Sequence, residues 1–117
     1  MSKNDCLFCK IIEKKIPSTG VYEDEQVYAF KDLHPKAPIH LLIVPKEHCD
    51  SLATVTEKNI HLLQPMFLAA KQIAKELGIL ERGFRTVINC NSEGGQSVYH
   101  LHLHLLGGRQ LGGAMVS

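Results

Sequence analysis

Apolar residues recur along this chain at two different spacings, and the wider one predicts a single long helix. From Thr56, a suitable N-cap, apolar side chains follow at steps of three and four residues as far as Leu77, and Gly78 stands at the expected C-cap position. Pro65 falls inside this stretch and lacks a backbone donor, so we expect a kink or a late helix start near it. The stripe consists of Ile60, Leu63, Phe67, Ala70, Ala74 and Leu77.

A second, shorter helix is predicted over residues 6–15. Leu7 and Ile11 fall on one helical stripe there, and either Asn4 or Asp5 can serve as the N-cap.

The remaining apolar runs are short and rich in β-branched and aromatic residues, which is typical of strands. The first two flank a polar stretch and predict a hairpin, and the third ends at a proline. The predicted strands cover residues 21–22, 26–32, 40–45, 85–89 and 98–106. Strands joined by hairpins, with the helices segregated from them, predict an α+β domain built on an antiparallel sheet.

Length and charge limit the possible classes of protein. The 117 residues predict one domain over residues 1–117, with a core at about 6–109 and a flexible, glycine-containing tail at 110–117. Lys and Arg total 13 against 12 Asp and Glu, so the net charge gives no reason to expect nucleic-acid binding. Any anion would have to be bound by a local site.

The N-terminal residues lack the apolar stretch of a secretory signal, and the aliphatic run at 41–44 is far too short to span a bilayer. We therefore expect a soluble, cytoplasmic protein without membrane contact. In a reducing compartment Cys6, Cys9, Cys49 and Cys90 are expected to be thiols or metal ligands rather than disulfides.

Three of the seven histidines alternate with leucines near the C-terminus. In a strand, His100, His102 and His104 would share one face, and the leucines between them would face the core. A neutral imidazole can attack phosphorus when its other nitrogen is fixed by a hydrogen bond, for which a backbone carbonyl would serve. Residues 94–98, just upstream, offer backbone N–H groups and the Ser97 hydroxyl to phosphate oxygens.

The same spacing allows two other interpretations. Alternating polar residues also form the solvent-exposed face of an amphipathic strand, and a His-x-His pattern can direct two imidazoles at one zinc ion. Three histidines in register favour catalysis or metal binding over chance, and the spacing alone does not separate those two.

Several segments together resemble the histidine triad (HIT) family, in the branch of small, bacterial-type nucleotide-binding proteins. The family's signature of histidines alternating with apolar residues stands here as HLHLHLL at residues 100–106. Four other segments match in the same order: FKDL at 30–33, APIH at 37–40, PKEH at 45–48 and GGQSVY at 94–99. The resemblance covers the chain from about Cys6 to Arg109.

The resemblance implies a HIT-like antiparallel sheet, with one long helix and a short N-terminal helix, paired as a homodimer. It also implies hydrolysis of purine nucleoside phosphoramidates of the AMP-amine type. His102 would attack the α-phosphorus to give a nucleotidyl-histidine intermediate, supported by His100, His104, His40 and Ser97, and the chemistry would require no cofactor.

A nucleotide pocket follows from the same resemblance. Asp32 matches the carboxylate that accepts both ribose hydroxyls, while apolar residues match the slot for the base. The implied nucleotide-binding residues are Leu7, Phe8, Ile11, Phe30, Asp32, Leu33, Asn89, Gly95, Ser97, Val98, His102 and His104. Apolar residues at such spacings also commonly form core, and Asp32 can be a turn former.

The pair Cys6 and Cys9 has the two-residue gap of half a zinc site. Some members of the resembled family complete a structural zinc site with histidines that match His48 and His100, whereas others lack the cysteines. The alternative is that the two thiols are small buried apolar residues.

Two other functions remain open. The resembled family also contains dinucleoside polyphosphate hydrolases, and a nucleotide-binding or partner-binding module with incidental turnover would use the same pocket. The chain has no tryptophan, whereas animal-type members carry one in the tail that reaches the partner's active site, which leaves the leaving group undetermined.

Overall fold

Within residues 5–113, which the computed structural model describes, five strands form one antiparallel sheet. The strands are β1 (Gly20–Glu23), β2 (Val27–Lys31), β3 (Ile39–Pro45), β4 (Arg85–Val87) and β5 (Leu103–Gly107). Their order across the sheet is β1-β2-β3-β5-β4, and every neighbouring pair is antiparallel. The predicted α+β class and the predicted hairpin of β1 and β2 are confirmed.

The long helix, α2 (Leu63–Glu76), starts late, as Pro65 predicts. A 3-10 turn at Ile60–Leu62 precedes it, and the proline occupies the third helical position, where its missing N–H costs no helical hydrogen bond. Thr56 does not cap this helix; its hydroxyl accepts from the Lys58 amide in an earlier turn.

The buried face of α2 differs from the predicted stripe. Phe67 and Leu77 are about half exposed, and so is Ile60. The side chains that pack on the sheet are Met66, Ala69, Ala70, Ile73 and Ala74. Only Ala70 and Ala74 belong to both sets, so the buried face is rotated about the helix axis relative to the predicted stripe.

The short helix, α1 (Leu7–Ile12), covers the opposite face of the sheet. It ends before the predicted residue 15, and its N-cap is Cys6, whose Sγ accepts from the Cys9 amide at 3.3 Å, rather than Asp5. Asn4, the other expected N-cap, lies outside the described residues.

The predicted last strand, 98–106, is much shorter in the structure, because β5 begins only at Leu103. Before that point the chain leaves the β3 register, and the Leu101 amide donates to the Cys49 carbonyl at 2.6 Å. His100 and His102 therefore lie on an irregular segment, although Leu101 and Leu103 still face the α2 side of the core, as predicted.

None of the helices in the described part of the chain is long and apolar enough to cross a membrane. The predicted tail at 110–117 is described as far as residue 113, and residues 114–117 lie outside the described part.

Candidate active site

A pocket of about 270 Å³ opens between α1, the end of β2 and the histidine-bearing segment. It gathers most of the residues predicted to bind a nucleotide: Leu7, Phe8, Ile11, Phe30, Asp32, Leu33, Ser97, Val98, His102 and His104. Asn89 and Gly95 do not line it. Pro17, Ser18, Lys31, His34 and Leu42, which the sequence did not indicate, complete the wall.

A larger pocket of about 600 Å³ lies between α2 and the β1–β2 hairpin. Its polar lining includes Lys71, Lys75 and Asp24, and it contains neither a histidine nor a cysteine. Volume alone does not identify a reactive site, so the smaller pocket with two buried imidazoles is the candidate.

One end of the candidate pocket is an apolar slot with aromatic walls. The rings of Phe8 and Phe30 meet edge to face at 5.5 Å, and the edge of Phe8 also contacts the His102 ring at 5.1 Å. Leu7 is 43% and Leu33 87% exposed, so neither is a core residue. An apolar slot with exposed leucines at its rim can bind a flat base.

His102 presents one nitrogen whose protonation is fixed. Its Nδ1 lies 2.7 Å from the His100 carbonyl oxygen, and because a carbonyl only accepts, Nδ1 carries the proton. The lone pair of the neutral ring is therefore on Nε2. Burial lowers the pKa of His102 below its ordinary value, although the bond to His100 opposes this. The orienting carbonyl expected from the sequence thus belongs to His100.

His104 is assigned the opposite tautomer by a chain of hydrogen bonds. The Lys36 amide donates to His40 Nδ1 at 3.0 Å, so the neutral His40 carries its proton on Nε2. That atom lies 2.9 Å from His104 Nδ1, which accepts, and the proton of His104 is consequently on its Nε2. This buried Nε2 has no hydrogen-bond partner within residues 5–113 and can donate to a ligand.

Burial is the main cause of the low pKa values along this chain of bonds, hereafter called the His40–His104 relay. It lowers the pKa of His40, and it lowers that of His104 to about 4, with the neighbouring His102 and His40 adding to the effect. Both rings are therefore neutral near pH 7.

Asp32 lies beside the relay at the pocket wall. Its Oδ1 accepts from the His34 amide at 2.8 Å, and its Oδ2 lies 3.3 Å from His40 Nε2. Two carboxylate oxygens offer about four lone-pair positions, so acceptor capacity is left for hydroxyl groups of a ligand. Asp32 is thus a turn former and a pocket residue at once.

The loop before the histidines is organised by Gln96, which the sequence analysis did not single out. Its amide donates to the carbonyls of Asp50 and Val98 at 2.8 and 3.0 Å, and its Oε1 accepts from the Asn91 amide. Gly95 adopts φ +82°, and Asn89 donates to the Gly94 carbonyl. Asn89 and Gly95 therefore shape the loop that presents Ser97 and Val98.

A second cluster lies behind the pocket and contains the four predicted metal ligands, Cys6, Cys9, His48 and His100. The Sγ atoms of Cys6 and Cys9 lie 3.2 and 3.5 Å from His100 Nδ1, and Cys9 Sγ lies 3.4 Å from His48 Nδ1. All four ligand atoms are within 4.8 Å of one another.

The tautomers of both histidines in this cluster suit a cation. His100 donates from Nε2 to the Pro45 carbonyl at 2.8 Å, and His48 donates from Nε2 to Asp50 Oδ1 at 2.6 Å. This bond from His48 holds the pKa of the Asp50 carboxyl below its ordinary value, so Asp50 is an acceptor. In the neutral rings the two Nδ1 atoms then carry the lone pairs, and they lie 3.2 Å apart. Two imidazole lone pairs and two thiols are the ligand set of structural zinc.

The group of Asp32, His40 and His104 also lies within 4.8 Å, but it does not meet the same condition. The Lys36 amide occupies His40 Nδ1, which keeps a proton on Nε2 between the three side chains. A metal ion would require that proton to leave, so this group is a hydrogen-bond relay. Cys49 and Cys90, for which no role was predicted, are free thiols.

Comparisons with known proteins all point to one family. A family model described as scavenger mRNA decapping enzyme C-term binding matches residues 5–115. The "14 kDa zinc-binding protein" of Zea mays is 53% identical over 107 residues, which is 90% of this chain and 83% of the relative. Protein HitA of Neisseria gonorrhoeae is 48% identical over 104 residues, covering 89% of this chain and 96% of the relative.

Solved structures are similar over nearly the full chain. A histidine triad protein from Clostridium difficile superposes with a TM-score of 0.93 at 48% identity, covering 98% of this chain and 100% of the other. A HIT family hydrolase from Legionella pneumophila Philadelphia 1 has a TM-score of 0.90 at 50% identity, covering 93% and 97%.

Proposed function

The chain belongs to the histidine triad (HIT) family, and from this we propose that it is a nucleotide-binding hydrolase that cleaves purine nucleoside phosphoramidates. One observation carries the proposal: the pocket holds two neutral histidines whose free Nε2 atoms differ in protonation. His102 offers a lone pair on Nε2, and His104 offers an N–H on Nε2. A nucleophile beside a donor is what displacement at a phosphoryl group requires.

The reaction divides into two displacements. His102 Nε2 attacks the α-phosphorus and forms an N–P bond, while the bond to the amine breaks and the amine leaves with the electron pair and a proton from water. A second water then attacks the phosphorus and gives its proton to the hydroxide left by the first, the bond to His102 breaks with its electron pair returning to Nε2, and the nucleoside monophosphate is released. The His104 Nε2–H and the Ser97 hydroxyl stabilise the charge on the phosphate oxygens.

The nucleotide would lie along the pocket from the aromatic slot to the histidines. The base would lie against the apolar wall that includes Phe8 and Phe30, and the ribose hydroxyls would donate to Asp32. The phosphate then reaches Ser97, His102 and His104, all of which line the same pocket.

We further propose that Cys6, Cys9, His48 and His100 bind one structural zinc ion. The two lone pairs support this, and the similar protein of Zea mays is named a zinc-binding protein. When bound, zinc would cross-link the start of α1 to the segments that carry His48 and His100. The ion would not take part in hydrolysis, but His100 would be held at its side chain while its carbonyl orients His102.

The test is incubation with adenosine 5′-phosphoramidate and detection of AMP. The wild type should release AMP, and His102→Ala should lose activity by at least about 10⁴-fold because the nucleophile is absent. His61→Ala is the matched control, since His61 is an exposed histidine on the turn before α2. Rapid quenching in denaturant at alkaline pH, where the N–P bond survives, followed by mass spectrometry should detect an AMP adduct on the wild type and on His61→Ala but not on His102→Ala.

Each alternative has its own outcome. Faster release from diadenosine tetraphosphate than from the phosphoramidate would assign the chain to dinucleoside polyphosphate hydrolysis. Binding of AMP with no turnover of either substrate would leave a binding module. Equal activity of wild type and His102→Ala would remove His102 as nucleophile.

A further inference from the structure

Arg109, two residues after the end of β5, is hydrogen-bonded to the loop that precedes β3. Arg109 Nη2 donates to the Lys36 carbonyl at 3.0 Å, across 73 residues of sequence. The strands on either side of this contact are neighbours, because Ile39 pairs with Gly107 at the end of the sheet. The guanidinium thus fixes a loop relative to the strand that carries His104.

The backbone before Arg109 is built for this close approach. Gly108 has φ +93°, which L side chains rarely adopt, and a Cβ there would lie 3.0 Å from the Pro38 side chain. Only glycine allows the chain after β5 to lie directly on Pro38. Gly108 therefore allows Arg109 to lie beside Lys36.

Lys36 is the origin of the His40–His104 relay. While its carbonyl accepts from Arg109, its amide donates to His40 Nδ1 at 3.0 Å. That amide occupies His40 Nδ1, while Asp32 Oδ2 lies 3.3 Å from Nε2, and both contacts place the proton on His40 Nε2 and thereby the lone pair on His104 Nδ1. Position and tautomer are therefore coupled: displacement of the Lys36 backbone removes the donor to His40 Nδ1 and leaves only Asp32 to favour the proton on Nε2.

We propose that Arg109 is a positioning residue that fixes, through the backbone of Lys36, the tautomers of His40 and His104. The proposal rests on the proposed hydrolase function for its catalytic consequence. Arg109 touches no part of the pocket lining; it acts by keeping a donor on His104 Nε2, which the phosphoryl group needs. Loss of Arg109 should slow the chemical step and leave nucleotide binding intact.

Arg85 provides a matched control. Its Nη2 donates to the Gly112 carbonyl at 2.6 Å, so it also joins a guanidinium to a backbone carbonyl in the same part of the fold. That contact holds the tail but does not reach Lys36. A general effect of tail attachment would appear in variants of both arginines, whereas an effect on the relay would appear only at Arg109.

The experiment compares Arg109→Met, Arg109→Lys and Arg85→Met with the wild type. Nitrogen-15 NMR of histidine-labelled protein reports the tautomer of each imidazole. The wild type should show a protonated Nε2 on both His40 and His104, and Arg109→Met should show mixed tautomers. The single-turnover rate should fall about tenfold in Arg109→Met, and the Kd for AMP should change less than about twofold.

Rescue separates positioning from packing. Arg109→Lys retains a cationic donor and should recover the rate to within about threefold of the wild type. Unchanged His40 and His104 spectra in Arg109→Met, or an equal loss of rate in Arg85→Met, would overturn the proposal. If the wild type cleaves no phosphoramidate, the hydrolase function fails, yet the NMR spectra still decide whether Arg109 fixes the tautomers.

Discussion

His102 and His104 are two residues apart and present opposite groups at Nε2, because their Nδ1 atoms face different partners. A carbonyl next to His102 leaves a lone pair on its Nε2, while an imidazole next to His104 leaves a proton there. The ring centroids are 5.2 Å apart, so both nitrogens can address one phosphoryl group. Burial maintains the arrangement, since charging either ring would replace a lone pair with a second proton.

Stability should fall on acidification because His104 is buried neutral. Its pKa is about 4 in the folded protein and about 6.5 when unfolded, so the unfolded chain binds more protons between these values. Above about pH 6.5 His104 does not lower the free energy of unfolding, and as the pH falls towards 4 this free energy declines. Between pH 7.5 and 5.5 His104 alone should contribute a loss of about 1 kcal/mol, measurable by urea unfolding.

His104→Gln is the control for this prediction. Its amide can still hydrogen-bond to His40 but does not titrate, so the loss between the two pH values should be smaller by the His104 contribution. Identical pH dependence in the two proteins would mean that His104 is not buried neutral.

The sequence alone indicated these histidines and the need for an orienting carbonyl, but it did not indicate which residues hydrogen-bond to them and to their loop. Lys36, Asp50 and Gln96 act through contacts between segments far apart in sequence. The assignment of the orienting carbonyl, which accepts from His102 Nδ1, to His100 depends on the irregular path before Leu103, whereas regular alternation would have made all three histidines equivalent. No local pattern encodes that departure from the strand.

Among the elements, α1 depends most on its surroundings. Six residues are too few for a stable isolated helix. Its N-cap, Cys6, is also a predicted metal ligand, and Phe8 packs between Phe30 and His102. The same helix therefore forms one wall of the pocket and one side of the metal cluster.

Removal of zinc should destabilise the protein through this helix. We expect about one zinc per protomer after purification without chelators. A strong chelator, or the substitution Cys9→Ala, should lower the Tm by at least about 5 °C because the ion binds only the folded state. Scanning calorimetry together with metal analysis would measure both quantities.

Cys90→Ala is the matched variant, because Cys90 is a thiol outside the cluster. This variant keeps the ligand set, so its Tm should match that of the wild type and should still fall when a chelator removes the zinc. Protein that contains no zinc and in which Cys6 and Cys9 titrate freely would contradict the metal site.

The helices and strands themselves were largely predictable, and the differences have identifiable causes. Pro65 correctly indicated where α2 starts, because proline is tolerated only in a first turn. The stripe prediction failed at Phe67 and Leu77, since periodicity marks apolar residues without saying how closely the helix packs. The face that packs on the sheet instead includes Met66, Ala69 and Ile73, which the predicted stripe omitted.

As a unit, the protomer leaves apolar surface and a strand edge uncovered. Leu68 is 61% exposed and Phe67 46% exposed on α2, and β4 is the last strand of the sheet. Adjacent exposed apolar side chains and a strand with one unpaired edge are both typical of an interface between protomers. These features support the homodimer that the family resemblance implies.

Light scattering should therefore give a mass of about twice the 13.0 kDa of one chain. The double substitution Phe67→Glu and Leu68→Glu should shift the protein towards the monomer, because charges are costly in an apolar interface. Val21→Glu is the control, since Val21 is 40% exposed on β1, at the far edge of the sheet from β4. A monomeric wild type would refute the dimer.

The position of β5 also determines when this protein can fold during its synthesis. Among the five strands of residues 5–113 it comes last in sequence, yet it lies between β3 and β4 and pairs with both. Until residue 107 has left the ribosome, β3 and β4 each lack the neighbour that β5 provides. From the emergence of β3 onwards the nascent chain thus exposes an unpaired apolar edge, to which chaperones can bind. Since His104 arrives on that same strand, the pocket appears only in the final step.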